Sequence, residues 1–415
     1  MNKKLFTQIK NEWRTNLWLV TELLVVSVVL WYIVDFFYTS ISTRIIPLGF
    51  DIEHCYRVDV DEVNVKSPEY IPERGDEQTG ADRMELMERI RRRPEIEAVS
   101  WSQNSYPYNG SNSGIGVQYI AEGDTLETDG YTLRRYVSPD FVRVFRYQGI
   151  NGETPEELAA MLKEGKVLIN NDLFWKQKVE LKDYIGKEFI IGDTSNIKRL
   201  GAALVPPRYC DYQTWNDCVV MDLPRWWYSW TNELCIRVKP EMDHDIKEML
   251  MKDAPTQFRI GNLMVTDVVS FKDIRRNYQT FYTNRERNYY AGMGFLLLNI
   301  FLGLLGTFWF RTQQRVNEIA IRKAMGATNW EICRRLLSEG LLLLLVITPF
   351  AFGIDCLLAY FEMNQYYDGG YFGWDRVAIC AAGAAALVAL MIIAGVWFPA
   401  SRAEKVDPAI ALKDE

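Results

Sequence analysis

The residues that could do chemistry in this chain are few and scattered. Its two histidines, His54 and His244, do not belong to a cluster with metal-ligand spacing. The carboxylates Asp59 and Asp61 alternate along a predicted strand, which is typical of a solvated face rather than of an acid–base pair. Because the sequence contains no constellation for catalysis or metal binding, we predict that the chain is not an enzyme, with no catalytic residue and no metal.

A phosphate-binding loop is also missing from the sequence. Such a loop, G-x-x-x-x-G-K-[ST], needs its glycines so that backbone N–H groups can cradle phosphates. The two external Gly-Lys pairs, Gly165-Lys166 and Gly186-Lys187, are followed by Val and Glu. We therefore predict that the chain binds no cofactor itself and cannot hydrolyse ATP alone.

Apolar residues are gathered into four blocks. Hydrophobic residues make up 48% of the chain, yet its mean hydropathy is only −0.13, so a large polar region must accompany the blocks. Each block is about 20 residues long, which is enough to cross a hydrocarbon core of roughly 30 Å as a helix. A helix also satisfies its own backbone hydrogen bonds in lipid. The predicted spans are 17–38, 289–310, 341–361 and 377–398.

The first block has two interpretations, a membrane anchor and a signal peptide with a basic start. Its apolar stretch is longer than the roughly 7–15 residues of a signal peptide, and no A-x-A-like cleavage site follows. We therefore predict an uncleaved anchor.

Lysine and arginine near the span ends predict the orientation. The short loop 362–376 carries one arginine against Glu362, Asp368 and Asp375, whereas basic residues are frequent in the other segments between and beside the spans. Because basic segments stay in the cytoplasm, we predict an inner-membrane protein with both termini inside, the loop outside and a large periplasmic domain at 39–288. The predicted cytoplasmic segments are 1–16, 311–340 and 399–415.

Two kinds of residue within the predicted spans carry further signals. Ionisable residues in a span are functional candidates by default. However, Glu22, Asp35 and Asp355 all lie within a few turns of a span end, and we predict that they snorkel to the interface. Gly303 and Gly306 indicate close helix packing, between spans or between protomers.

The domain at 39–288 is predicted to be α+β with two subdomains. A strand, a helix and a strand follow one another in residues 56–101 and again in residues 234–271. These halves are expected to pair in space around an inserted, mostly β module. The two halves are 50–103 and 231–272, and the insertion is 104–230.

Three further features of this domain are an aromatic group, four cysteines and the segment that leads into the second span. The aromatic group Trp226, Trp227, Tyr228 and Trp230 fits a binding surface and a packing cluster equally well. Four external cysteines fit free thiols better than a disulfide framework, although a Cys210–Cys218 bond remains open. Residues 271–290 contain no Gly or Pro and are predicted to form a helix continuous with the second span.

The segment 311–340 is predicted to contain two helices. Glu318 and Arg322 stand in the favourable i, i+4 order, and together with Arg315 they are predicted to form one charged stripe. Gly326 is placed to end the first helix, and Thr328-x-x-Glu331 is a capping box for the second. From periodicity alone, a helix resting on anionic lipid fits as well as a docking helix.

The detailed sequence of this segment resembles the signature of the FtsX-like permease family, the membrane subunits of MacB-type (type VII) ABC transporters. The signature reads E-I-x-[IL]-R-[KR]-x-x-G-A, and it is matched by Glu318, Ile319, Ile321, Arg322, Lys323, Gly326 and Ala327. The closing motif of the family is matched by Pro399, Ala400, Ala403, Pro408, Ala411 and Leu412. The external domain resembles the MacB-like periplasmic core domain, whose subdomains are named porter (here 50–103 and 231–272) and sabre (104–230).

The resemblance implies a permease subunit that transmits ATP-driven movement to its external domain, a scheme called mechanotransmission. It implies a separate ABC ATPase subunit that holds the ATP and Mg²⁺, a second permease protomer in a homo- or heterodimer, and a periplasmic adaptor. The cargo would be drugs, peptides or lipoproteins, and nucleic acid is not expected as a partner. The helix 315–325 would dock on the ATPase through Arg315, Glu318, Ile319, Arg322, Lys323 and Gly326.

The alternative function is a transmembrane signalling or regulatory module. The same lever could control a cell-wall hydrolase or report an external ligand inwards. The sequence contains no long linker to a kinase-like or hydrolase domain, and this favours the transporter.

Overall fold

The computed structural model describes residues 13–121, 124–128, 132–214, 217–364 and 373–403. The chain divides into two compact units. Met1–Ile45 together with Asn284–Glu415 form the helical unit, and Ile46–Thr283 form the sheet domain. The predicted basic N-terminus up to residue 12 and the matched positions Pro408, Ala411 and Leu412 lie outside the described residues.

The described elements follow the chain in an order that places all thirteen described strands between α1 and α6, the first two long helices. The helices are α1 (Trp13–Ile45), α2 (Asp76–Arg91), α3 (Phe141–Val144), α4 (Pro155–Lys163), α5 (Ile246–Gln257), α6 (Phe271–Gln314), α7 (Val316–Ala324), α8 (Asn329–Tyr360) and α9 (Trp374–Ala403). The strands are β1 (Cys55–Glu62), β2 (Ile96–Gln103), β3 (Gly114–Ile115), β4 (Val117–Ala121), β5 (Asp124–Glu127), β6 (Thr132–Val137), β7 (Val167–Asn170), β8 (Glu188–Ile191), β9 (Ile197–Leu204), β10 (Cys218–Asp222), β11 (Glu233–Val238), β12 (Arg259–Ile260) and β13 (Leu263–Ser270).

Among the described residues, four helices are long and apolar enough to cross a membrane. They are α1, α6, α8 and α9, and each coincides with one of the predicted spans, so four candidate membrane helices are present where four were predicted. Residues 271–290 belong to the same helix as the second span, as their lack of Gly and Pro predicted. The capped helix α8 likewise continues from its cap into the third span.

The core of the helical unit lies between α1, α8 and α9. Leu23 and Trp31 of α1 pack with Ile347 of α8 and with Val388 and Ile392 of α9, all of them buried. In contrast, α6 buries little of its apolar surface within the chain. Its exposed side chains include Phe295, Leu298 and Leu302.

Strands from the two predicted strand–helix–strand units pair with one another in the sheet domain. Strand β1 lies antiparallel between β11 and β13, with Val58 opposite Leu234 on one side and Val268 on the other. Strand β2 pairs with the far side of β11. Helices α2 and α5 cover this layer through buried side chains such as Leu86 and Leu250.

The inserted strands do not form a separate sheet. Strand β2 pairs with β6 through two residue pairs, Ser102 with Val137 and Gln103 with Tyr136. The sheet order is then β12-β13-β1-β11-β2-β6-β10-β7-β9-β8-β4-β5, with β3 added on β6. The pairs β6–β10 and β7–β9 are parallel and the other strand pairs are antiparallel, so the domain is a mixed α+β layer. The limits of the two subdomains stay a prediction.

The seven cysteines are free thiols, so the open alternative of a Cys210–Cys218 disulfide is not realised. Cys210 and Cys218 are both fully buried in the core beneath β6 and β10. Burial raises the pKa of the Cys218 thiol to about 11. These cysteines therefore pack as small apolar side chains rather than acting as reactive groups.

Candidate functional site

The segment after α6 is shaped by two local signals that the sequence predicted. Gly326 has φ +92°, a left-handed conformation that glycine adopts without a steric penalty, and it ends α7. The Thr328 hydroxyl accepts a hydrogen bond from the Glu331 N–H at 3.3 Å, and the Glu331 carboxylate accepts one from the Thr328 N–H at 2.9 Å. This capping box starts α8.

Helix α7 carries an ion pair on a partly exposed edge. The Arg322 guanidinium donates to the Glu318 carboxylate at 3.1 and 3.0 Å, and Arg335 of α8 approaches the same carboxylate at 3.7 Å. Ile319 and Ala320 are buried. The i, i+4 pair was predicted, and it is present.

Arg315 does not share this edge. Its backbone (φ −105°, ψ 11°) interrupts the helix between α6 and α7, so the helical-wheel position assigned to it from the sequence is wrong. Its guanidinium instead donates to the Glu339 carboxylate of α8 at 2.6 Å, and Arg311 donates to the same carboxylate at 3.2 Å. Both arginines and Glu339 line a cavity of about 20 Å³, which is large enough for one water molecule.

The segment also exposes apolar side chains that sequence reasoning missed. Ile321 and Met325 are exposed at the C-terminal end of α7, and Trp330 is exposed in the first turn of α8. Lys323 is half-buried on the same short helix. An exposed apolar group beside a charged pair is the composition expected of a docking surface.

Asp35 does not snorkel to the interface as predicted. It is fully buried, and its carboxylate accepts hydrogen bonds from Arg376 Nε at 2.7 Å, Arg376 Nη2 at 2.6 Å and Asn364 Nδ2 at 3.0 Å. Arg376 itself is almost completely buried. The prediction failed because the partner arrives from a position 341 residues further along the chain.

The other two carboxylates of the spans have different surroundings. Glu22 accepts a hydrogen bond from the Thr307 hydroxyl, which lies 3.0 Å from each carboxylate oxygen. Asp355 is buried, and its Oδ1 has no hydrogen-bond partner among the described residues. The span carboxylates therefore differ in their polar partners, although the sequence treated them alike.

The aromatic group of the sheet domain divides between the two alternatives left open by the sequence. Trp227 packs edge-to-face on Tyr136 at 4.8 Å, and the Arg134 guanidinium lies 4.8 Å from the centre of its ring. Tyr228 is buried as well. Trp226 and Trp230 are 68% and 69% exposed. Two of the four rings thus pack in the fold and two are presented to solvent.

The residues that the structure describes contain no group of three or more His, Cys, Asp or Glu side chains placed to hold a metal ion. Along the described residues, four helices that could cross a membrane, a mixed sheet domain between the first two of them, and a charged helix between the second and third define a class of membrane-helical proteins with an inserted sheet domain.

The comparison with protein families gives a match in the later part of the chain. Residues 290–408 match the family model described as FtsX-like permease C-terminal. The three later spanning helices and α7 all lie wholly or partly within this range. This part of the chain is therefore similar to permeases of the FtsX type.

A curated relative also resembles part of the chain. The chain is similar to the macrolide export ATP-binding/permease protein MacB of Salmonella paratyphi A (strain ATCC 9150 / SARB42), at 25% identity over 194 residues. The match covers 45% of this chain and 28% of that protein. The chain therefore matches little more than a quarter of the relative's length.

Proposed function

We propose that the chain couples ATP hydrolysis by a separate ABC ATPase subunit to movements of its sheet domain, with α7 as the docking helix. The observation that carries the proposal is the exposed composition of α7, which combines the Glu318–Arg322 pair with Ile321 and Met325. Transient protein–protein interfaces commonly have an apolar centre surrounded by a polar and charged rim. The left-handed Gly326 ends the helix so that it remains a short, separate element.

The fixed connections on either side of α7 support transmission of force. Arg311 of α6 and Arg315 both bind Glu339 of α8, so a displacement of the segment acts on two spanning helices together. Helix α6 itself is helical without interruption from Phe271 to Gln314. No turn within this helix would absorb the movement.

Arg315 has a revised role in this proposal. Its partly buried bond to Glu339 makes it a positioning residue that ties the junction of α6 and α7 to α8. The docking contacts are assigned to Glu318, Arg322 and Lys323, together with the exposed side chains of α7. Gly326 sets the turn into α8.

The proposal includes the orientation and the partners. The helical unit lies in the inner membrane, with both termini and α7 in the cytoplasm and the sheet domain in the periplasm. A second permease protomer packs against α6 at its exposed side chains Leu298 and Leu302. Gly303 and Gly306 lie nearby, and no described atom would contact a Cβ placed at either glycine. A helix of the second protomer can therefore approach α6 closely there. The cargo is a drug, a peptide or a lipoprotein, delivered with a periplasmic adaptor.

A charge exchange tests the docking assignment. The variant E318R/R322E keeps an i, i+4 pair within α7 but reverses the charges that face a partner. We expect loss of ATPase co-purification and at least a tenfold weaker stimulation of its activity, because a misplaced charge in an interface costs several kcal/mol. The measurement is pull-down from membranes, followed by ATP hydrolysis in reconstituted vesicles.

A matched control comes from α2 of the sheet domain. Glu85 and Arg89 form an exposed i, i+4 pair with an Nε–Oε1 distance of 2.9 Å. The exchange E85R/R89E perturbs the charge to the same extent and should leave the ATPase bound. If E318R/R322E also retained full binding and stimulation, α7 would not be the docking helix.

A further inference from the structure

We propose that the sheet domain binds a hydrophobic organic cation in a cavity between the N-terminal end of α2 and the aromatic turn 225–230, which we call the tryptophan pocket. The cavity has a volume of about 550 Å³, which suits one drug-sized ligand. Its lining residues are Asp76, Glu77, Gly80, Met84, Trp226 and Trp230, with Ala81 and Arg225 completing the wall. The claim concerns binding alone and goes beyond the coupling proposed above.

The walls of the tryptophan pocket are held together by partly buried hydrogen bonds. The Arg83 guanidinium of α2 donates to the carbonyl oxygens of Tyr228 and Ser229. The Arg83 carbonyl in turn accepts a hydrogen bond from the Trp101 indole at 2.9 Å. A Cβ atom at Gly80 would lie 3.5 Å from the Ser229 backbone nitrogen, so α2 and the turn approach closely. The pocket is therefore formed before a ligand arrives.

The two tryptophans supply the apolar and cation-binding surface. Both rings are more than two-thirds exposed, although the neighbouring Trp227 and Tyr228 are packed into the fold. The same turn packs Trp227 against Tyr136 and buries Tyr228, yet it presents these two indoles to solvent. The face of an indole ring attracts cations, and aromatic cages are a common site for quaternary ammonium groups.

The charges of the pocket favour the same ligand. Asp76 and Glu77 bring two carboxylates and Arg225 brings one guanidinium, which leaves one net negative charge. No ion pair joins these three side chains to one another or to other described residues. The carboxylates also stand in the first turn of α2, where they complement the helix dipole. Both effects act together, because a dipole-stabilised carboxylate still attracts a cation through the open cavity.

The test uses the full-length chain in lipid nanodiscs without an ATPase, so that its outcome is independent of coupling. The probe is ethidium, a planar quaternary cation, and binding is followed by fluorescence anisotropy with empty nanodiscs subtracted. We expect the double variant W226A/W230A to bind ethidium at least roughly tenfold more weakly. The variant D76N/E77Q should weaken binding about fivefold, and more at low salt than at high salt.

Matched variants separate the pocket from general effects. Trp175 is 58% exposed on the same domain and does not line the cavity, so W175A should bind ethidium like the wild type. R225Q should bind ethidium at least as tightly, because it removes the opposing charge. If W226A/W230A bound like W175A, the pocket would not be the site. Loss of binding in R225Q without loss in D76N/E77Q would overturn the choice of a cation.

Discussion

The buried pair of Asp35 and Arg376 gives the sharpest prediction about the helical unit. The pair joins α1 to the first turn of α9 through two charge-assisted hydrogen bonds, at 2.7 and 2.6 Å. Each such bond contributes about 1.5–3 kcal/mol. The substitution R376L removes both bonds and leaves a buried carboxylate with Asn364 and the weak thiol donor of Cys380 as its remaining described donors. The expected loss is therefore about 3–6 kcal/mol, close to the roughly 3–5 kcal/mol typical of a broken buried pair.

The double variant D35L/R376L separates the pair from its surroundings. It removes both charges together, so the desolvation cost of an unpaired ion disappears. We expect it to lie within about 2 kcal/mol of the wild type, although the two single variants each lose more. The assay is reversible unfolding of the purified protein by sodium dodecyl sulfate in mixed micelles, which gives the free energy of unfolding for each corner of the cycle.

Asp355 offers a control in the same unit. Its Oδ1 has no described hydrogen-bond partner, so D355N breaks no bond of that oxygen and should leave the free energy of unfolding unchanged or higher. D35N removes a charge from the same kind of buried position but disrupts the pair. Equal values for D35N and D355N, or a double variant as unstable as the sum of the singles, would refute the assignment of a coupled pair.

Two further predictions concern the segment after α7 and the sheet domain. G326A places a Cβ atom at φ +92°, which costs about 1–2 kcal/mol, whereas G353A in an open part of α8 should cost nothing; the same unfolding assay compares them. Burial raises the pKa of Glu233 above its ordinary value of 4.5, against the opposing hydrogen bonds from Ser102 and Ser105. The folded state therefore binds more protons than the unfolded state, and stability falls as pH rises from about 4.5 through the raised pKa. Thermal melting should show this fall in the wild type and a flatter profile in E233Q; identical profiles would contradict it.

What the sequence predicted well is local along the chain. The spans follow from length and hydropathy, the box at Thr328 and Glu331 from a four-residue spacing, and the left-handed turn from a glycine at the end of a helix. The strand–helix–strand halves of the sheet domain follow from periodicity in the same way. In each case the deciding residues are neighbours.

What the sequence did not predict depends on contacts between distant residues. The Asp35–Arg376 pair and the bond from Arg315 to Glu339 have no periodic signal, because nothing near either residue identifies its partner. The division of the aromatic group is similar. Trp227 is packed because Arg134 and Tyr136 of β6 contact its ring. Trp226 lacks these two contacts from β6 and stays exposed.

The sheet order has a consequence for synthesis of the chain on the ribosome. Strands β1 and β2 are made early, but they do not pair with each other, because β11 lies between them. Until residues 233–238 have left the ribosome, each keeps an unpaired edge that can associate with another chain. The sheet also forms through contacts between residues far apart in sequence, and such contacts slow folding. A nascent chain that stops before β11 is therefore the form of this protein most in need of a chaperone.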